Sequence, residues 1–333
     1  MKICHFIASS KFGGAERVVS NLCNEMSKEH EVHFITFDCR ENLKETSSRV
    51  HLHTIKEFKR YNIFALLKLV KLINDINPDI MHTHGAKATR IVYNIRFLMK
   101  SQHIGTKHNA RKGRIFNKIQ HVVAVSNDAA KSVTSNDVKV IYNGIEPIEV
   151  SPQKKDKTFT LLSIGRLDKI KGFDILIEEC AKLNFPFRLH IIGEGTEKEN
   201  LETLIEKLHL TDKVNLLGFK KDIPQLMHNA DIIVMSSHSE GFSLVMIEAL
   251  FYANLFVSTK VSGATEILDN RFLFDGFSIS QKLNDIYKNY TTYIEEYSVL
   301  TKGIKEKFFL TNIVHEHIIY YQAILNSKKS GSN

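Results

Sequence analysis

The sequence predicts an α/β chain built from two parallel sheets in succession, and three observations carry that prediction. Short β-branched apolar runs alternate with amphipathic helical stretches, the pattern of strand–helix–strand crossovers. Glycine-bearing loops follow the strand ends, where parallel sheets bind ligands. A polar stretch at 151–157 with Pro152 inside it interrupts the alternation, and a fresh strand follows, so it reads as a linker. A chain of 333 residues is long enough for two cores of ordinary size.

Residues 2–8 make the first strand. Its apolar run is ended by Ser9-Ser10-Lys11 and is too short for a signal peptide. Gly13-Gly14 open a helix at about Ala15, in which Val18, Val19, Leu22 and Met26 keep the helical period. Residues 32–37 form the second strand. A dinucleotide site would need G-x-G-x-x-G here, and only the adjacent pair is present. Asp38 ends that strand, yet without the glycine pattern it carries no ribose assignment. Residues 62–76 read as an amphipathic helix with Ile63, Leu66, Leu67, Val70 and Ile73 on its apolar face. Lys68 and Lys71 lie on the other, with Lys56, Lys59 and Arg60 upstream. This helix suits either packing on its own sheet or lying on an anionic lipid surface.

Pro78-Asp79 lead into a strand at 80–84, on which His82 and His84 alternate and therefore point the same way. An H-x-H pair is a zinc motif only with a third ligand, and none is evident. Residues 106–118 read as a dense basic loop. Lys107, His108, Arg111, Lys112, Arg114 and Lys118 suit a phosphate or pyrophosphate. Strands at 121–125 and 138–142 complete a first domain of residues 1–150.

The second domain, 151–310, opens with a strand at 159–164 and the loop Gly165-Arg166-Leu167-Asp168-Lys169-Ile170-Lys171-Gly172. Arg166 and Lys171 are cations in a glycine-bounded loop that opens a helix, which suits a diphosphate. A strand at 187–192 runs into Gly193-Glu194-Gly195. Helical Leu201, Leu204, Ile205 and Leu208 come next, and a strand at 214–217 precedes Gly218-Phe219-Lys220. The apolar strand 231–235 is followed by a polar break, Glu240, Gly241 and an apolar helix over 243–252. A helix start offers unpaired N–H groups and the positive end of the dipole, a natural seat for an anion. Gly241 lets a ligand approach the backbone. Leu244 and Glu248 share a helix face, so a phosphate at the helix start has Glu248 roughly 5–6 Å further along, a distance suited to a ribose. Glu240 stays in the loop to meet a sugar. A strand at 256–258 and a helix opening at 262–266 follow. Ile313, Ile318, Ile319, Tyr320 and Ile324 mark a last helix within 311–333, ended by a polar tail.

The net charge of +8 is unevenly placed. Residues 1–150 hold 23 Lys+Arg against 14 Asp+Glu, and residues 56–118 hold 14 against 3. Such a field points to an anionic partner: a phosphorylated substrate, an anionic membrane surface or nucleic acid, with plain solubility as the simplest alternative. No aromatic interleaving or recognised module accompanies the charge, so no nucleic acid is expected. Cys4, Cys23, Cys39 and Cys180 are widely spaced, which suggests a reducing compartment and no structural metal. No stretch approaches the roughly 20 apolar residues of a membrane span.

Taken together and in order, these motifs resemble the retaining glycosyltransferases of family 4, which have the GT-B fold. The resemblance covers nearly the whole chain and is strongest from Gly165 to Glu266. Its carriers are EGFSL at 240–244 with Glu248-Ala249-Leu250 (E-x7-E), G-R-L-x-x-x-K-G at 165–172, GGAERV at 13–18, DIMHTHG at 79–85, VSN at 125–127 and NGIE at 143–146. Two Rossmann-like domains facing across a cleft are implied, with 1–150 binding the acceptor, 151–310 the nucleotide-sugar, and the final helix crossing back to the first domain. By the same resemblance Glu240 touches the donor sugar's hydroxyls and Glu248 binds the ribose. The amides of Gly241, Phe242, Ser243 and Leu244 hold the diphosphate, and Arg166 and Lys171 neutralise it as it leaves. Gly13, Gly14 and His84 lie near the donor sugar, Gly193 borders the nucleotide pocket, and Gly218, Phe219 and Lys220 run along the base. Two departures, Tyr252-Ala253-Asn254 and Ser262-Gly263-Ala264, border the donor pocket and affect which sugar is taken.

The expected activity is a metal-independent, retaining transfer of a hexosyl or N-acetylhexosaminyl group from a nucleotide-sugar, most readily UDP-linked, with no cofactor. An anionic or lipid-linked saccharide, of lipopolysaccharide type, would be the acceptor, held by Lys107, His108, Arg111, Lys112 and Arg114. The expected location is cytoplasmic, with peripheral contact at the inner membrane face. The competing readings are a non-catalytic sugar-nucleotide or nucleic-acid binding protein, a dehydrogenase, and a sugar-nucleotide epimerase on the same fold.

Overall fold

The computed structural model describes residues 1–10, 13–38, 44–111, 113–134, 137–151 and 158–330. Lys112, Cys39, the stretch 152–157 and the last three residues of the polar tail lie outside them. The chain forms two compact units, Met1–Glu146 with Lys307–Asn333, and Pro147–Glu306.

The first unit is built on a seven-stranded parallel sheet of β1 (Lys2–Ile7), β2 (Glu31–Phe37), β3 (His51–Ile55), β4 (Ile80–His84), β5 (Gln102–Lys107), β6 (His121–Ala124) and β7 (Asp137–Val140). The spatial order is β3-β2-β1-β4-β5-β6-β7, so the direction of strand addition reverses between β1 and β4. In open parallel sheets that reversal leaves a crevice at the carboxyl ends of the two strands. β1 places Ile7 beside His84 and His5 beside His82. Both faces of the sheet are covered, which is why β4 and β6 are buried throughout. Cys4, Phe6, Ile35, Phe37 and Met81 meet the Ile63–Ile76 and Gly85–Ile95 helices on one face.

Three sequence expectations change here. β3 reads HLHTI and is an edge strand, half-exposed, with too little apolar character to announce itself. β5 carries Thr106 and Lys107 into the sheet, so the basic loop begins only at His108. The Ile63–Ile76 helix turns Leu69, Ile73 and Ile76 inward, while Ile63, Phe64 and Leu67 are 68%, 81% and 54% exposed. Its first two turns are apolar nearly all round, so periodicity alone did not phase them. Asn62 caps the start, accepting from the Ala65 amide, and Asn77 in the left-handed conformation ends it.

The second unit has a six-stranded parallel sheet, β8 (Phe159–Ile164), β9 (Phe187–Ile192), β10 (Val214–Leu216), β11 (Ile232–Met235), β12 (Phe256–Thr259) and β13 (Leu273–Phe274), in the order β10-β9-β8-β11-β12-β13. Its reversal falls between β8 and β11. The Leu244–Tyr252 helix is sunk into this unit, with seven of its nine residues buried. It is held from outside by the Tyr290–Ile304 helix, whose Tyr297 hydroxyl donates to the Ala249 carbonyl at 2.9 Å.

After Glu306 the chain rejoins the first unit. Ile145 N–H donates to Phe308 O at 3.0 Å and Leu310 N–H to Ile145 O at 2.8 Å. The Leu310–Ser330 helix then packs on the Gly14–Met26 helix.

Candidate active site

In the second unit the predicted residues gather where the sheet order reverses. The loop after β8 turns through a short 3-10 helix, Lys169–Lys171, and starts the Phe173–Cys180 helix at Gly172. Gly172 has φ +62°, and a Cβ there would lie 2.4 Å from Ser236 O, so only glycine lets this loop press on the loop after β11. The contact is stitched by Ser236 Oγ donating to Lys171 O at 2.9 Å and His238 N–H donating to Ile170 O at 2.8 Å. Across this seam the Lys171 ammonium pairs with Glu240 Oε1, which also accepts from Ser237 Oγ at 2.8 Å. Thr259 Oγ1 fixes the loop by donating to Ser237 O at 2.6 Å. Ser237 and Thr259 were not singled out from sequence; a serine beside an acid is common in loops and gave no signal.

The Leu244–Tyr252 helix starts beside this seam. Ser243 caps it, accepting from the Met246 amide at 3.3 Å, and Glu248 is buried one turn in. Phe242 is buried too, so its side chain is core and its amide is what a ligand would meet. Gly263, φ +80°, backs this turn, since a Cβ there would sit 2.5 Å from Gly241 O. Arg166 behaves differently from Lys171. It is exposed and forms a fork with Asp168 in its own loop, at 2.7 Å and 2.6 Å. Gly193 packs backbone on backbone: its Cβ would lie 1.8 Å from Gly165 O. Gly218, φ +65°, faces open space, and the neighbouring Phe219 is 67% exposed, with Lys220 exposed after it.

In the first unit Gly13, Gly14 and His84 lie at the β1/β4 reversal. Gly13 precedes the Gly14–Met26 helix and accepts from the Arg17 amide at 3.0 Å. His84 ends β4 and precedes Gly85, at φ +78°. It belongs to a buried histidine cluster that the H-x-H pair only hinted at. His5 on β1 and His317 on the C-terminal helix join it, and His108 stacks obliquely on His84 at 5.6 Å between ring centres. His5 Nδ1 is 3.0 Å from His84 Nε2, and His5 Nε2 is 3.4 Å from Met26 Sδ. His82 is satisfied at both nitrogens, by the Tyr321 hydroxyl at 2.5 Å and Thr106 Oγ1 at 2.6 Å. Burial, reinforced for some by neighbouring imidazoles, lowers these rings' pKa values. His5 and His317 fall to about 3, His108 to about 4, and His82 and His84 well below the ordinary range, so all are neutral at pH 7.

A metal does not fit this cluster as packed. Nitrogens of His5, His82 and His84 lie within 4.8 Å of one another. His82 and His84 are stacked, however, at 4.4 Å between centres and 25° between planes, and His5 Nδ1 is already taken up with His84 Nε2 at 3.0 Å. Lone pairs in stacked planes run side by side, whereas zinc needs them to converge at about 2.0–2.1 Å. The Glu31, His33, His51 group repeats the problem, with His33 and His51 stacked 4.7 Å apart at 24°.

Of the predicted acceptor residues, Lys107 is turned inward. Its ammonium donates to Arg111 O at 2.7 Å and lies over the Phe116 ring, and burial lowers its pKa. Arg111 and Arg114 are exposed, and His108 is half-buried.

Two family profiles match the chain in tandem. "Glycosyltransferase Family 4" covers residues 12–148 and "Glycosyl transferases group 1" covers residues 145–305. The chain belongs to the family 4 glycosyltransferases. This glycosyltransferase is 28% identical over 349 residues to N-acetylgalactosamine-N,N'-diacetylbacillosaminyl-diphospho-undecaprenol 4-alpha-N-acetylgalactosaminyltransferase of Campylobacter jejuni, with 92% of the chain and 93% of the relative covered. It is 25% identical over 342 residues to the O-antigen biosynthesis glycosyltransferase WclY of Escherichia coli, covering 95% and 92%. The crystal structure of Anabaena HepE in complex with UDP and glucose superposes on 97% of the glycosyltransferase and 100% of that chain, at a TM-score of 0.87 and 19% identity. Two parallel Rossmann-like sheets matching such neighbours make the fold GT-B.

Proposed function

We propose that this glycosyltransferase moves a hexosyl or N-acetylhexosaminyl group from a UDP-sugar to a lipid-linked saccharide with retention, without a metal, at the cytoplasmic face of a membrane. The observation that carries the proposal is the Lys171–Glu240–Ser237 cluster at the β8/β11 reversal, one loop from the capped start of the Leu244–Tyr252 helix. A cation, an acid and a helix N-terminus are what a nucleotide diphosphate joined to a sugar requires of a protein. In this reading Lys171, Arg166 and the amides of Gly241–Leu244 stabilise charge growing on the leaving diphosphate, an electrostatic role that replaces a metal. Glu240 holds sugar hydroxyls, Glu248 the ribose, and exposed Phe219 offers a stacking face to the base beside Gly218 and Lys220. The C1–O bond to the diphosphate breaks and the acceptor oxygen enters on the same face. The acceptor's proton passes to a phosphate oxygen, so no protein base is assigned.

Support for the donor comes from HepE, solved with UDP and glucose, and for the acceptor class from the diphospho-undecaprenol named for the Campylobacter enzyme. A lipid-linked acceptor calls for membrane contact. Among the described residues no helix is long and apolar enough to cross a membrane. The exposed Tyr61, Ile63, Phe64 and Leu67, with Lys56, Lys59, Arg60, Lys68 and Lys71 around them, suit an interfacial contact with anionic lipid. Arg111, Lys112 and Arg114 are assigned to the acceptor's phosphates, with His108 and Lys107 behind them.

Calorimetry with UDP, GDP and ADP tests the donor assignment. UDP is expected to bind in the low-micromolar range and to weaken at least tenfold in Glu248→Ala. Selective binding of GDP or ADP would redirect the donor, and no nucleotide binding would overturn the proposal. Addition of EDTA is expected to leave turnover unchanged.

A further inference from the structure

The seven residues between β3 and the Ile63–Ile76 helix read KEFKRYN, charges interleaved with two rings. Four of them, Glu57, Phe58, Lys59 and Arg60, line a cavity of about 530 Å³ together with Lys87 from the first turn of the Gly85–Ile95 helix. Small-molecule sites commonly have that size. The lining is built rather than loose. Phe58 meets the Phe37 ring edge-on at 5.5 Å between centres and packs against the core of the first unit. The Lys87 ammonium lies over the same Phe37 ring at 4.6 Å and donates to Glu57 Oε1 at 2.7 Å. Asn62 N–H donates to Lys59 O at 2.8 Å, which closes a turn over Lys59–Asn62, and the Asn62 side chain caps the helix that follows. Little has to be ordered when a ligand arrives.

Charge narrows what the cavity takes. Three cations and one carboxylate line it, and the carboxylate is engaged by Lys87. Lys59 and Arg60 have no ion-pair partner among the described residues. That lining favours an anion with oxygen acceptors over a neutral sugar or a cation. The neighbouring residues narrow it further. Tyr61, Ile63, Phe64 and Leu67 stand exposed directly after Arg60, whose guanidinium lies 4.9 Å from the centre of the Tyr61 ring. Large apolar side chains in water beside unpaired cations suit a ligand that carries alkyl chains next to its phosphate. Glu57 sets the last preference. A carboxylate in the lining repels the extra charge of a diphosphate, and it accepts hydrogen bonds from hydroxyls. A monoanionic phosphodiester with a hydroxylated headgroup, as in phosphatidylglycerol, meets all three conditions. A choline headgroup has no hydroxyl to donate and brings a cation to Lys59 and Arg60.

We infer that this cavity binds the phosphate of one anionic phospholipid headgroup, with Tyr61, Ile63, Phe64 and Leu67 entering the acyl region around it. The inference rests on the membrane contact proposed above and deepens it. That contact needs only a charged, apolar surface; the cavity makes it a site of defined stoichiometry and headgroup preference.

The test separates the cavity from the surface. The full chain is titrated by calorimetry with dihexanoyl phosphatidylglycerol, kept monomeric below its micelle concentration. Saturable binding at a single site is expected. Dihexanoyl phosphatidylcholine, inorganic phosphate and geranyl diphosphate are each expected to bind about tenfold more weakly or worse. Lys59→Gln with Arg60→Gln is expected to weaken phosphatidylglycerol binding by about tenfold or more, while melting temperature and UDP affinity stay unchanged. Phosphate binding as tightly as the lipid would overturn the inference in favour of a free-anion site. Tighter binding of geranyl diphosphate would overturn it in favour of the acceptor's own diphosphate, and equal binding of the choline lipid would remove the headgroup preference. Full phosphatidylglycerol affinity in the double variant would place the lipid elsewhere. Absence of monomer binding beside intact sedimentation with anionic vesicles would remove the cavity and keep the membrane contact; loss of both would remove the membrane contact as well.

Discussion

At the scale of the residue, the proposed transfer turns on the Lys171–Glu240 pair. Each side chain is largely shielded and each satisfies the other, so replacing one strands the other. In the proposed site Lys171→Met would remove a cation from the diphosphate and is expected to weaken UDP binding about 10- to 100-fold by calorimetry, because a hydrogen bond to a charged group contributes about 1.5–3 kcal/mol. Glu240→Gln keeps the shape and frees the ammonium. It is expected to cut turnover at least 100-fold while UDP affinity holds or rises, read by product assay beside calorimetry. Equal loss of both quantities in both variants would assign the pair to folding alone. The glycines divide in a similar way. Gly193→Ala forces a Cβ against Gly165 O at φ +143°, with expected destabilisation of about 2–4 kcal/mol in urea unfolding. Gly218→Ala meets open space at φ +65° and is expected to cost about 1–2 kcal/mol, all of it backbone conformation. The motif G-R-L-x-x-x-K-G presented Arg166 and Lys171 as equivalents in the sequence. Only the fold separates them, because the partner of Lys171 lies 69 residues away and that of Arg166 two residues away.

At the scale of the element, the Ile63–Ile76 helix is split into a docked end and an exposed end. Its last two turns supply Leu69, Ile73 and Ile76 to the core, while Tyr61, Ile63, Phe64 and Leu67 face outward ahead of Lys68 and Lys71. Phe64→Glu with Ile63→Glu is expected to reduce sedimentation with vesicles containing anionic phospholipid more than tenfold, with binding to purely zwitterionic vesicles weak throughout. The melting temperature should stay within a degree or two, because the side chains touch no core. A large fall in melting temperature would assign them to packing instead. Strands such as β6 and β11 were legible because apolar β-branched runs have no other home. β3 and β5 were not, since HLHTI and QHIGTK carry too few apolar residues to stand out before their neighbours are known. His5 was hidden for a related reason. It is one residue in a first strand read only for its apolar run, and only the β1–β4 pairing sets it beside His82.

At the scale of the whole molecule, the neutral histidines make acid the weak flank. His5, His103, His108 and His317 have pKa values pressed down to about 3–4 by burial, against an ordinary 6.5 in the unfolded chain. Between those limits the unfolded chain binds more protons, so stability is complete above about pH 6.5 and is lost as pH falls below it. The lowered carboxylates Glu31 and Asp285 act in the same direction, below their ordinary values of 4.5 and 3.8. The melting temperature is expected to be level from pH 8 to 7 and to drop by several degrees by pH 5. A flat curve to pH 5 would mean that the cluster opens to solvent without unfolding. The alternation of strands and helices made the α/β class legible from the sequence, and the glycine loops at strand ends made the candidate ligand edges legible too. What stayed out of reach was set by distance along the chain: His82 finds Tyr321 across 239 residues, and no local pattern encodes that meeting.

That meeting has a consequence for the order in which the protein can be made. The second unit, Pro147–Glu306, is one uninterrupted stretch, whereas the first is divided between Met1–Glu146 and Lys307–Asn333. During translation the later stretch is able to close as soon as it clears the ribosome. The earlier one must wait, its sheet formed but its Gly14–Met26 helix uncovered and His82 still lacking Tyr321, until the final helix emerges. A premature stop codon near residue 307 would therefore spare the half of the protein that precedes it most closely and leave the oldest part unfinished.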